Sequence, residues 1–172
     1  MRRIHHLSSP ARALVALSLA LVGMTSCSVM TKEEKLSRER QVDGVLQQRD
    51  YRIRVNYMVP LRSGGRALDG SYSIEVKDGK ISSHLPYFGV ATSARYGGGN
   101  PLSFEKEYHS YDEKVNGGRN PSREAVIKVR TEEDYFTYYI TVFPGGKADI
   151  RVTSRNRDPV SYYGEIELPS AN

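Results

Sequence analysis

The chain has 172 residues, 38% of them hydrophobic, and a formal net charge of +5, which is enough apolar material for one domain with a real core. The first 26 residues contain Arg2, Arg3 and Arg12 and no acids, so residues 27–172 keep 22 basic against 20 acidic side chains, a net of +2. With the basic surplus mostly in the leader and no run of Lys or Arg, a nucleic-acid groove is excluded.

Residues 1–26 read as a secretory signal: a basic start, an apolar run from Ala13 to Val22, then Thr25 and Ser26 before Cys27. The apolar run is about half of the roughly 20 residues a membrane-spanning helix needs. Cys27 is the single cysteine of the chain, and Met24-Thr25-Ser26-Cys27 resembles a bacterial lipobox, with Met24 where leucine is usual and Thr25 where Ala or Ser is usual. Cys27 is therefore expected to carry the lipid and to become the first mature residue. An exported domain without a second cysteine has no disulfide staple and must be held by its core.

Residues 27–50 read as a lipid-attached tether and a helix. Thr31-Lys32-Glu33-Glu34 has the form of a capping box, and Val42, Val45, Leu46 and Arg49 recur at helical spacing, although Gly44 weakens the pattern. The second half of this helix is expected to dock on the domain.

From residue 51 the period changes to two. Tyr51, Ile53, Val55, Tyr57 and Val59 alternate with polar residues, and so do Tyr72, Ile74 and Val76, with Asp78-Gly79 as a two-residue hairpin signal into Lys80-Ile81. The stretch from Ile81 to Val90 breaks the alternation: Pro86 and Gly89 bracket an apolar corner in which Leu85, Tyr87 and Phe88 are expected to be packed. Beyond a loose glycine loop from Tyr96 to Pro101, the alternation resumes over Leu102–Tyr108, Ala125–Val129, Phe136–Val142, Ala148–Val152 and Val160–Leu168. The reading is mainly β: residues 51–168 form an antiparallel meander of about seven or eight strands, a sandwich or half-closed barrel, preceded by one N-terminal helix set against an open end, with 169–172 as a tail.

Four motifs lie in order along this pattern: His84-Leu85-Pro86-Tyr87-Phe88-Gly89, Leu102-Ser103-Phe104 after the glycine loop, the Gly146-Lys147-Ala148 hairpin, and Arg157-Asp158-Pro159-Val160-Ser161-Tyr162-Tyr163-Gly164. Together they resemble the domain of unknown function 4251 family, small lipoproteins of Bacteroidota, over roughly Val42 to Ile166. The resemblance implies export, lipidation and a β-rich domain, and it carries over no catalytic residue.

Chemistry-bearing constellations are sparse. Two histidines, His84 and His109, remain in the mature chain, too few for a three- or four-ligand metal site. No Gly-x-Ser-x-Gly elbow is present, and Glu132-Glu133-Asp134 reads as a solvated turn. No enzyme, metal or cofactor is expected. Tyrosine is abundant, with twelve in the chain, and it suits sugar or protein contacts. Tyr135, Tyr139 and Phe143 lie on the face opposite Phe136, Tyr138, Ile140 and Val142, so either the helix covers that second face or it binds something. These three, with Tyr87 and Phe88, are the candidate binding residues. The function expected is a non-enzymatic binding or structural module of the outer-membrane envelope, anchored through Cys27, with a protein or glycan partner; the alternative is a lipocalin-like carrier of a small apolar ligand.

Overall fold

The computed structural model describes residues 30–91 and 100–168. The expectations for the signal, for Cys27, for most of the glycine loop and for the tail 169–172 lie outside the described residues. Helix α1 (Lys32–Gln48) is followed by eight strands: β1 (Tyr51–Pro60), β2 (Arg66–Lys77), β3 (Lys80–His84), β4 (Ser103–Asn116), β5 (Ser122–Arg130), β6 (Tyr135–Val142), β7 (Lys147–Ser154) and β8 (Val160–Glu167). Each strand pairs antiparallel with the next, and β8 returns to pair with β1. The sheet is thus a closed barrel rather than a sandwich or a half-closed one. Closure removes both free edges, which an open meander of this length would leave to template further pairing.

The local signals act as their chemistry dictates. Lys32 opens the helix and leaves Thr31 at the N-cap position. Asp78 (φ 50°) and Gly79 (φ 77°) both take the left-handed backbone that a two-residue hairpin needs, with Lys77 paired to Lys80. Alternate, inward-facing residues of seven strands fill the barrel: Ile53, Val55, Ile74, Ile81, Ile127, Tyr138, Ile140, Ile150 and Tyr162 are fully buried. Each aliphatic side chain buried here contributes about 1.5–3 kcal/mol.

The alternation fails at one point in β1. A bulge between Val55 and Tyr57 shifts the register toward both neighbours, so Met58 and Pro60 turn inward while Tyr57 faces out against Tyr163, with ring centroids 6.3 Å apart. Tyr57 therefore does not belong to the inner row that simple alternation implies. Gly164 of β8 lies opposite Val55 beside this bulge. A Cβ on Gly164 would collide with the Arg54 backbone, 3.1 Å from its carbonyl carbon, and would also lie 3.1 Å from Ile53 Cγ2.

The two ends of the barrel are sealed differently. At the end where β1 starts and β8 finishes, α1 buries Val42 and Leu46. Arg38 donates from Nε to the Gly145 carbonyl at 2.8 Å and pairs with Glu165, and Arg123 joins Asp43 of the helix to Glu113 of β4. At the opposite end lies the corner after β3. Leu85 and Pro86 are buried, the Tyr162 hydroxyl donates to the Pro86 carbonyl at 2.7 Å, and the Tyr138 hydroxyl donates to Ser83 Oγ, which donates to the Leu102 carbonyl. Burial holds the Tyr138 and Tyr162 hydroxyls well above their ordinary pKa, so both stay protonated donors.

This corner is the clamp its composition implies, with one correction. Phe88 is 48% exposed and lies against the Arg66 guanidinium, 4.5 Å from ring centroid to Cζ, instead of being packed. The backbone turns outward after Pro86, so Leu85 and Pro86 take the interior positions and leave none for Phe88. A second correction concerns the acidic turn: Asp134 is only 5% exposed, and Arg157 pairs with Glu133 at 2.8 Å and approaches Asp134 at 3.9 Å.

Leu85→Ala is expected to cost about 2–5 kcal/mol, as for a buried large-to-small change, whereas Phe88→Ala should stay within about 1 kcal/mol; thermal or urea denaturation of the two variants checks the order. Gly164→Ala, which forces a methyl against the backbone of β1, is expected to destabilise by about 1–3 kcal/mol in the same assay. Arg62 at 2.7 Å, and then the Val90 N–H, hold the Asp158 carboxyl below the usual carboxylate range. A depressed carboxylate stabilises above its unfolded pKa of about 3.9 and loses that contribution as pH falls through the folded value. Asp158→Asn should therefore be less stable than the parent at pH 7, and the gap should narrow below about pH 4 in a pH-dependent melting series.

Candidate binding face

The five aromatic candidates do not converge on one place. Tyr87 is half-buried at the corner, where its hydroxyl donates to the Asp158 carbonyl at 3.2 Å and Arg157 lies over its ring. Burial, with the nearby Asp158 carboxylate adding to it, raises its pKa. It works as part of the seal. Phe88 stands beside it on the outside. Phe143 is at the other end, lining a space of about 220 Å³ beneath the helix together with Val42, Leu46, Val115 and Val142.

Tyr135 and Tyr139 remain together. Both point outward from β6 and are 45% exposed, because alternation sends Phe136, Tyr138 and Ile140 into the barrel and their odd-numbered neighbours to the outer wall. Of the two possibilities for this face, coverage by the helix is not what occurs. Helix α1 seats its buried residues at the barrel end, and the wall of β5, β6 and β7 is left open.

Register brings cations to these rings. Arg130 is paired with Tyr135 across β5 and β6, and its guanidinium carbon is 5.0 Å from the ring centroid; that of Arg155, just beyond β7, is 5.4 Å away. One row further along, Lys128, Thr137 and Thr153 lie side by side, followed by Val126, Tyr139 and Arg151. His109, at the bulge of β4, completes the rim of a surface depression of about 400 Å³ lined also by Lys128, Tyr135, Thr137, Thr153 and Arg155.

Electrostatically this wall is marked by the number of unpaired cations it gathers, although Arg66 of β2 and Lys114 of β4 also hold no carboxylate among the described residues. Arg38, Arg52, Arg54, Arg62, Arg123 and Arg157 each hold a carboxylate. Among the described residues Lys128, Arg130, Arg151 and Arg155 hold none. Sequence reasoning picked out the tyrosines and missed these cations. Alternation places Lys128 and Arg130 outward on β5, but Arg151 and Arg155 join them only once the β6–β7 register is known.

The remaining chemical candidates stay apart. His84 is exposed, stacked on Tyr72 at 5.6 Å, with Nδ1 3.2 Å from Ser103 Oγ. Among the described residues no group of three or more His, Cys, Asp or Glu is placed to hold a metal ion, and no helix is long and apolar enough to cross a membrane. The wall brings together exposed rings, threonine hydroxyls and cations without a carboxylate partner among the described residues.

A family model described as Domain of unknown function (DUF4251) matches residues 33–166. The chain is similar in structure to a DUF4251 family protein from Bacteroides eggerthii DSM 20697, with a TM-score of 0.56 and 12% sequence identity, over 77% of this chain and 89% of that one. At that identity the likeness speaks for the fold alone. A search of curated proteins finds no match. A model match over most of the chain, starting at the helix and ending within β8, places this protein in the DUF4251 family.

Proposed function

We propose that the protein is an exported lipoprotein of the cell envelope, held to the outer membrane by acyl chains on Cys27, and that it works as a non-enzymatic binding module. The observation that carries the binding role is the open outer wall around Tyr135 and Tyr139, where exposed aromatic rings and unpaired cations stand together on a rigid sheet. Two aromatic platforms held by paired strands lose little conformational freedom on contact, which favours their use as anchors. The anchoring role is carried by the leader and by the position of the single cysteine at its end.

A closed eight-stranded barrel is also compatible with a lipocalin-like binder. In this chain, however, the barrel axis is occupied by Tyr138, Tyr162 and the isoleucines around them. Room for an apolar ligand exists instead beneath the helix, in the space lined by Leu46, Val115 and Phe143. Native mass spectrometry of the purified protein separates the two readings: a co-purifying apolar molecule favours the carrier, and a bare mass favours the module.

Cys27→Ala is expected to abolish incorporation of labelled palmitate and to move the protein from the membrane fraction to the soluble one. An unchanged membrane-bound pool after cell fractionation would overturn the anchoring.

A further inference from the structure

The wall of β5, β6 and β7 has a composition that selects among partners. Its cations, Lys128, Arg130, Arg151 and Arg155, carry no carboxylate among the described residues; of the nearby acids Glu133 is engaged by Arg157, Glu132 by Lys106 and Glu124 by Asn116, while Asp149 faces outward on β7 and leaves these four cations against one unpaired acid. Charge complementarity therefore calls for an anion. Tyr135 and Tyr139 are four residues apart on one strand, so their rings are set about 13 Å apart at ~3.3 Å per residue. That is too far for one small ring to span and suits an extended chain. Thr137 lies between them, beside Thr153 on the next strand, and supplies hydroxyls at the middle of the track. Apart from Phe143, which lies at the end of the wall beneath the helix, the outward residues from Lys128 to Arg155 include no Leu, Ile, Phe or Met. An apolar protein hot spot or a side chain inserted into a bilayer would need one.

Deepening the binding-module reading, on which it rests, we propose that this wall binds an acidic polysaccharide: sugar rings stack on Tyr135 and Tyr139, and the carboxylates or sulfates of the chain take the guanidinium groups of Arg130, Arg155 and Arg151 and the ammonium of Lys128. Tyrosine presents a flat face with a polar handle, which suits a ring that is apolar on its faces and polar at its edge. Guanidinium groups supply paired N–H donors matched to carboxylate or sulfate oxygens. The cations already lying over Tyr135 hold that ring in place and become the anion contacts when a chain is laid across it.

The test uses the mature lipoprotein in detergent, with polygalacturonate and heparin as acidic probes and dextran as the neutral one, read by affinity electrophoresis and calorimetry. Both acidic probes should retain the protein and dextran should not, and retention should weaken as salt is raised. The double variant Arg130→Gln, Arg155→Gln should bind about tenfold more weakly or worse, tenfold being close to the loss of one charge-assisted hydrogen bond; Tyr135→Leu should lose a similar factor, and Arg66→Gln, away from the wall, should bind as the parent does. Melting curves of each variant confirm that the barrel is intact, and if the double variant unfolds, Lys128→Gln with Arg151→Gln takes its place. Equal retention by dextran, no retention by either acidic probe, or binding only to vesicles of phosphatidylglycerol would overturn the proposal. A photo-reactive residue at Tyr139 in living cells then separates the two levels. A crosslinked protein partner overturns the polysaccharide and leaves the binding module standing, whereas no adduct at all, with no retention by the acidic probes, removes both.

Discussion

The pairing of the first strand with the last, at Val55 and Gly164, is the contact on which the molecule depends. Six of the pairings between consecutive strands form across turns of a few residues and β3–β4 across residues 85–102, but the eighth brings together residues a hundred or more positions apart and so carries the largest loop-closure entropy. It succeeds because β1 bulges after Val55 and β8 supplies a residue without a side chain at that height, so the two backbones approach more closely than a Cβ would allow. Once closed, the sheet has no edge, and every inward side chain from Ile53 to Ile166 shares one interior.

A closed barrel still has two open ends, and a chain with one cysteine has no internal disulfide to hold them. It closes one with an element and the other with a corner. The helix end rests on two arginines that reach from the helix to the strands and back, Arg38 to the β6–β7 turn and Arg123 to Asp43. The corner end rests on two tyrosine hydroxyls from the barrel interior, Tyr162 donating to the Pro86 carbonyl and Tyr138 to the Ser83 hydroxyl, which in turn donates to the Leu102 carbonyl. In both cases a polar group inside an apolar surround is satisfied, which is the condition for burying it without a net loss. Sealing both ends with side chains leaves the outer wall as the surface available for contact, and across β5, β6 and β7 it gathers four cations that hold no carboxylate among the described residues.

The period-two runs were legible because half-buried strands must alternate, and the hairpin at Asp78-Gly79 was legible because only such residues take its backbone angles without strain. The helix start followed from its cap, and the family followed from motifs such as Leu-Pro-Tyr-Phe-Gly that stand in order. The rest was settled by the fold. Nothing local in β1 announces that Tyr57 will face out and Met58 in, because a bulge is set by what its two neighbours demand. Phe88 is as apolar as Leu85, and only the path of the chain after Pro86 decides which of them has an interior to enter. Asp134 resembles its acidic neighbours until Arg157, brought from the β7–β8 turn, reaches it. Lys128, Arg130, Arg151 and Arg155 are scattered along the chain and become one surface through cross-strand register. The sequence by itself determined the alternating rows that supply most of the core, because those depend on period and polarity; only the tertiary structure decided barrel over sandwich, the exceptions at Tyr57, Phe88 and Asp134, and which outward residues stand together, because those depend on contacts between strands far apart in the chain.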